Sequence, residues 1–110
     1  MNLTDKIYEL LENIGYKVYF GWYQKDVNET HVTFFIYNAS PTAYSDSEYE
    51  LIENSLQLDV WGTNEEEVQD VESKCLEILR ENVFYWSGSN REYETDTGIY
   101  HYANRYKLNV

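Results

Sequence analysis

Two hydrophobic periods follow one another in the middle of this chain. Ile52, Leu56, Leu58 and Val60 alternate with Glu53, Gln57, Asp59 and Trp61. A period of two predicts a strand with one buried face. Gly62 breaks it. Thr63 or Asn64 can then cap a helix, and Thr63-x-x-Glu66 fits a capping box. Glu65, Glu66 and Glu67 sit where a helix dipole is positive. Val68, Val71, Cys75, Ile78 and Leu79 follow at helical spacing, so one stripe faces a core. A long strand feeding a long helix is the expected structural centre.

The same reading covers the rest of the chain. Residues 2–14 predict a helix, with Leu3, Ile7, Leu10, Leu11 and Ile14 on one face. Asn2 or Thr4 caps its start, and Gly15 closes it in the left-handed conformation. Tyr16–Tyr23 and Thr30–Tyr37 alternate as strands, and the polar connector between them predicts an antiparallel hairpin. Val18, Phe20, Val32 and Phe34 are assigned to the core face beside Leu56, Leu58 and Val60. Asn38–Ser47, with the single proline Pro41, reads as a long polar loop suited to partner contact. Val83–Ser87 predicts a short strand, Gly88-Ser89-Asn90 a turn, and Arg91–Thr97 a further strand with Tyr93 inward. Ile99–Val110 predicts the last strand, with Tyr100, Tyr102, Tyr106, Leu108 and Val110 sharing a face. The order is α-β-β-β-α-β-β over one domain, residues 1–110. It implies an α+β two-layer sandwich: a mostly antiparallel sheet with two helices on one face.

Charge narrows the functional classes. Twenty acidic residues against eight Lys and Arg leave a net charge of −12. Such a surface repels phosphate, which argues against nucleic-acid binding through a basic patch and against anionic membranes. Hydrophobic residues at 43% supply a core despite this charge. No apolar run reaches membrane-spanning length, and no signal-peptide pattern opens the chain. The single cysteine, Cys75, excludes an internal disulfide framework and fits a reducing compartment.

Candidate chemistry is sparse. His31 and His101 are the only histidines, and with Asp59 they could in principle hold a metal. No HxH, HExxH or CxxC spacing supports that, so no metal, cofactor or catalytic residue is assigned. The five glycines are isolated, so there is no phosphate loop. Cys75 lies on an apolar stripe, where a cysteine acts as a small hydrophobe. More informative is the second face of the central strand: Gln57, Asp59 and Trp61, joined by Tyr19, Phe35 and Tyr37 from its neighbours. A mixed polar-aromatic sheet face marks a subunit or partner interface, and Pro41 and Tyr44 of the adjoining loop are grouped with it.

Four segments resemble a known family. Gly15-Tyr16-Lys17-Val18-Tyr19-Phe20-Gly21, Thr30-His31-Val32-Thr33-Phe34, Leu56-Gln57-Leu58-Asp59-Val60-Trp61 and Thr97–Tyr106 are similar to parts of the tail-terminator, or tail-completion, proteins of long-tailed, siphovirus-type bacteriophages and Gram-positive prophages. The resemblance implies a non-enzymatic virion protein, made in the bacterial cytoplasm. It would cap the tail-tube protein as a hexameric ring and present the surface that meets a head-completion or connector protein. DNA would pass through without specific binding, and acidity suits such a channel. Alternatives are another head–tail connector component, a small soluble ligand-binding domain or enzyme, and an acidic DNA mimic. A pocket with convergent polar groups would favour the enzyme, and salt-sensitive binding to a basic DNA-binding protein the mimic.

Overall fold

The computed structural model describes residues 2–21, 29–41 and 51–109. Its elements are α1 (Leu3–Leu11), β1 (Lys17–Phe20), β2 (His31–Pro41), β3 (Ile52–Gly62), α2 (Glu65–Glu81), β4 (Tyr85–Glu94) and β5 (Ile99–Asn109). The strands form one five-stranded sheet in the order β1-β2-β3-β5-β4. Both helices lie on one face, as an α+β two-layer sandwich requires. Ile7, Leu11 and Ile14 meet Val68, Val71, Cys75 and Leu79 over Val32, Phe34, Leu56, Leu58, Val60, Tyr102, Tyr106 and Leu108.

Local chemistry sets the helix ends. Asn2 Oδ1 accepts from the Asp5 N–H at 2.8 Å and starts α1. Asn64, rather than Thr63, caps α2: its Oδ1 accepts from the Glu67 N–H at 3.1 Å. This places Thr63 outside the helix and leaves the expected Thr63–Glu66 box unmade. α1 ends at Leu11, short of the predicted Ile14, yet Gly15 still adopts the expected left-handed conformation, with φ 90°.

α2 ends without glycine. The Val83 N–H donates to the Arg80 carbonyl at 3.3 Å, and the Phe84 N–H to the Leu79 carbonyl at 3.0 Å. These are the paired bonds of a Schellman motif. Val83 fills its left-handed position with φ 63°. Phe84 and Leu79, 3% and 0% exposed, supply the accompanying apolar contact.

Three sequence expectations need correction. β1 and β2 are parallel, in register Lys17↔His31 to Phe20↔Phe34, not an antiparallel hairpin. Parallel neighbours cannot be joined by a tight hairpin turn. β2 continues through Pro41 instead of ending at Tyr37, because Asn38 to Pro41 find partners on β3 after a register shift. The remainder of the expected loop, 42–47, lies outside the described residues. Finally, β4 is one strand from Tyr85 to Glu94. Gly88, read as a turn, sits at a bulge between Trp86 and Gly88 with φ 136°, where one extra residue bends the strand without ending it.

Two side chains also depart from their expected faces. Phe20 is 52% exposed, resting only its edge on Phe34 at 5.8 Å. Tyr93 is likewise 52% exposed and leans on Tyr100 at 4.6 Å instead of pointing inward.

Candidate assembly surface

The sheet face away from the helices carries a polar-aromatic layer. The ladders align Tyr19 with Thr33 and Asp59, and His31 with Trp61 and His101. Phe35 aligns with Gln57 and Arg105. Period-two alternation puts these side chains on one side because their neighbours Val32, Phe34, Leu58 and Val60 fill the core.

At the centre of this layer Gln57, Asp59, Trp61 and His101 are hydrogen-bonded within the chain. Trp61 Nε1 donates to Thr33 Oγ1 at 2.9 Å. Gln57 Nε2 donates to both Asp59 carboxylate oxygens, at 3.1 and 3.2 Å. His101 Nε2 donates to Asp59 Oδ1 at 2.9 Å, and the His101 ring stacks on Trp61 at 3.6 Å. The His31 ring lies nearly parallel to Trp61 at 6.4 Å and meets Tyr19 edge-on at 5.9 Å. His31 Nδ1 is 2.9 Å from the Glu29 carbonyl. Burial pushes the His31 pKa below its ordinary 6.5, and the backbone bond and the Glu29 charge oppose that only in part.

Of the residues expected at an interface, Gln57, Asp59 and Trp61 are therefore buried within the chain. Tyr19 and Phe35 are half-buried, while Tyr37 and Pro41 are exposed. Tyr44 lies outside the described residues. Alternation along their strands already puts His31 and His101 on the less apolar faces, but as candidate metal ligands and not as members of this layer. Among the described residues, no three His, Cys, Asp or Glu side chains come together as a metal site.

Beside the layer lies an open depression of about 600 Å³, whose lining includes Gln57, Ser87, Asn90, Glu92, His101 and Arg105. Arg105 sits over the Tyr37 ring at 5.4 Å. The depression brings the accessible edge of His101 toward β4, with Glu92 at 3.9 Å from Nδ1. Cys75 is buried on the opposite side of the sheet, and desolvation pushes its thiol up to about 12.

β4 borders this depression and exposes Tyr85, Trp86 and Tyr93. It is tied to the helical layer by a buried carboxylate. Glu72 accepts from Arg91 at 2.8 Å, Asn104 at 2.9 Å and Ser89 at 3.2 Å. Trp86 Nε1 donates to Asn104 Oδ1 at 3.0 Å and extends the network. The sequence reading passed over Glu72, although helical spacing puts it beside Val68 and Cys75; its partners could not be read because they lie on two other strands.

No family model matches the chain, and no curated protein matches it in sequence. Its fold is shared with solved phage-type structures. One is a chain in the virion of a native gene transfer agent particle, with TM-score 0.71, 9% identity, and coverage of 98% of this chain and 93% of that one. Another is the gp17 protein of bacteriophage SPP1, with TM-score 0.60, 19% identity, and coverage of 98% and 88%. Among the described residues, no helix is long and apolar enough to cross a membrane.

Proposed function

We propose that this chain is a non-enzymatic structural protein of a phage-type virion. It closes the tail tube as a ring, hexameric as the family resemblance implies, and presents the surface that joins the head connector. The observation that carries this reading is the fold, shared across 98% of the chain with a component of a virion and with a phage protein. The chemistry of the sheet face supports it. Asp59 and His101 form a pair closed under Trp61, and Asp59 is 0% exposed, so substrate has no approach to the carboxylate. The net charge of −12 suits a wall past which DNA slides, because like charge keeps phosphate from adhering.

Immunogold electron microscopy of intact virions tests the location. Label against this chain should appear at the head–tail junction; label on the capsid shell or at the distal tail tip overturns the reading. Sedimentation of the free protein tests the electrostatics. Repulsion between copies should weaken as the Debye length falls from about 30 Å at 0.01 M to about 10 Å at 0.1 M salt. Assembly should strengthen over that range, and rings that dissociate instead would show that charge pairs hold them together.

A further inference from the structure

β4 is the outer strand of the sheet on the β5 side. Among the described residues it pairs with β5 alone. Nine of its ten residues are exposed and Gly88 is half-buried, so the strand lies uncovered at the surface. Such an edge offers a row of backbone N–H and C=O groups to another strand. β4 also carries the exposed aromatic side chains of Tyr85, Trp86 and Tyr93.

The bulge gives this strand a symmetry that its sequence lacks. Trp86 stands four residues before Asn90, and Tyr93 three after it. Counted along β5 the two are level. Trp86 aligns with Tyr106, Asn90 with Ala103 and Tyr93 with Tyr100, three ladder steps to either side. Ser87 is the extra residue at the register shift between Trp86 and Gly88. Trp86 and Tyr93 also share the helix side of the sheet. Trp86 donates to Asn104, which donates to Glu72 of α2, and Tyr93 leans on Tyr100, which packs on the core.

A twofold axis normal to the sheet and level with Asn90 keeps each face on its own side and sets two copies of β4 antiparallel. Asn90 then lies opposite itself, Ser89 opposite Arg91 and Gly88 opposite Glu92. Trp86 lies opposite Tyr93, and Tyr85 opposite Glu94. No like charges face each other. Centring on Arg91 or Glu92 would set like charges directly opposite, which destabilises a ladder. Centring on Gly88 or Ser89 would leave Tyr93 beyond the end of the opposing strand.

We propose that two copies of this chain pair through β4, in an antiparallel ladder over Gly88–Glu92 centred on Asn90, with Trp86 of each copy against Tyr93 of the other. Backbone bonds and aromatic contact supply attraction that does not depend on charge, as copies of net charge −12 require. The contact is isologous, the same strand on both copies, so it stops at two. It closes an edge that would otherwise template open-ended strand addition. The pair is a property of the free protein and does not rest on the ring reading, since a ring needs a separate head-to-tail contact.

Cysteine substitution tests the register. Asn90→Cys should give a disulfide-linked dimer under mild oxidation, because each copy meets its own residue 90 across the axis. Glu92→Cys should stay unlinked, since its two positions lie four ladder steps apart, about 14 Å along the strand. Native Cys75 is buried, with its thiol pushed up to about 12, so it does not compete. Asn90→Lys sets two ammonium groups at the axis while making the chain less negative, so general repulsion falls as the seam is blocked. Circular dichroism and thermal melts establish that each variant is folded. In native mass spectrometry the wild-type protein should reach twice its 13.2 kDa as concentration rises, and Asn90→Lys should stay at the mass of one chain. Hydrogen exchange on the wild-type protein needs no variant: amides within Gly88–Glu92 that are not bonded to β5 should slow over the same concentrations. Linkage through Glu92→Cys but not Asn90→Cys, dimers without that protection, or Asn90→Lys pairing as well as wild type overturn the β4 contact. A wild-type chain that stays monomeric at every concentration and salt overturns it too. Each of these leaves the virion location standing; immunogold label away from the junction overturns the location and leaves the β4 pair standing.

Discussion

Val83→Gly should stabilise the protein, an unusual result for removing a valine. Val83 occupies the left-handed position that closes α2, with φ 63°. A β-carbon there crowds the following carbonyl and costs about 1–2 kcal/mol, and a β-branched side chain fits this region poorly. The side chain is 69% exposed, so its removal forfeits little packing. Glycine relieves the crowding but gives the unfolded chain more freedom, which returns about 0.5–1 kcal/mol. The difference is a gain of about 0.5–1 kcal/mol, or about 2–6 °C in Tm for a domain of this size. Urea melts should show a higher midpoint at an unchanged slope, since the buried surface does not change. Val83→Asn, which tolerates the left-handed region, should move in the same direction. An unchanged or lower midpoint for both variants would mean that Val83 carries no strain and that α2 ends differently.

Three further perturbations probe the layers on either side of the sheet. Glu72→Ala removes the acceptor shared by Arg91, Asn104 and Ser89. It should cost about 2–4 kcal/mol in denaturant melts, less than a fully buried ion pair because Arg91 is partly exposed; a loss well under 1 kcal/mol would make the network incidental. Gly62→Ala would place a β-carbon 2.6 Å from Thr30 Oγ1 and 2.8 Å from Val68 Cγ2. That overpacking should cost about 1–3 kcal/mol by thermal melting, and a neutral result would show that Thr30 moves freely. The third concerns His31, whose pKa is lowered from 6.5 by burial. The unfolded chain then binds more protons on acidification, so this contribution is present above 6.5 and is lost as pH falls toward the folded value. Stability should decline between about pH 7 and pH 5.5, and His31→Phe should flatten the decline; identical slopes would exclude His31 as its source.

Elements with strong local signals were legible. Asn2 and the alternation of Leu56, Leu58 and Val60 announced a helix start and a buried strand, and the structure has both. Failures occurred where distant partners outweighed local chemistry. Gly88 looks like a turn residue, yet β5 offers a continuous ladder and the glycine becomes a bulge. The polar connector after Phe20 suggested a hairpin, but direction depends on which end of β1 the start of β2 lies beside, here Lys17 beside His31, and no local pattern encodes that. The interface expectation rested on real alternation. Gln57, Asp59 and Trp61 do share a face, but their burial depends on His101, Thr33 and His31 arriving from other strands.

Glu72 also constrains how the sequence can drift. Its carboxylate serves two strands, so a change at 72 alone strands Asn104, and a change at 91 alone leaves a buried charge short of its cation. Glutamine could keep part of the arrangement, but an apolar residue could settle there only if Asn104 and Arg91 were replaced together with it. Lineages descending from this chain should therefore inherit positions 72, 91 and 104 as one unit, while neighbouring surface positions on α2 vary independently.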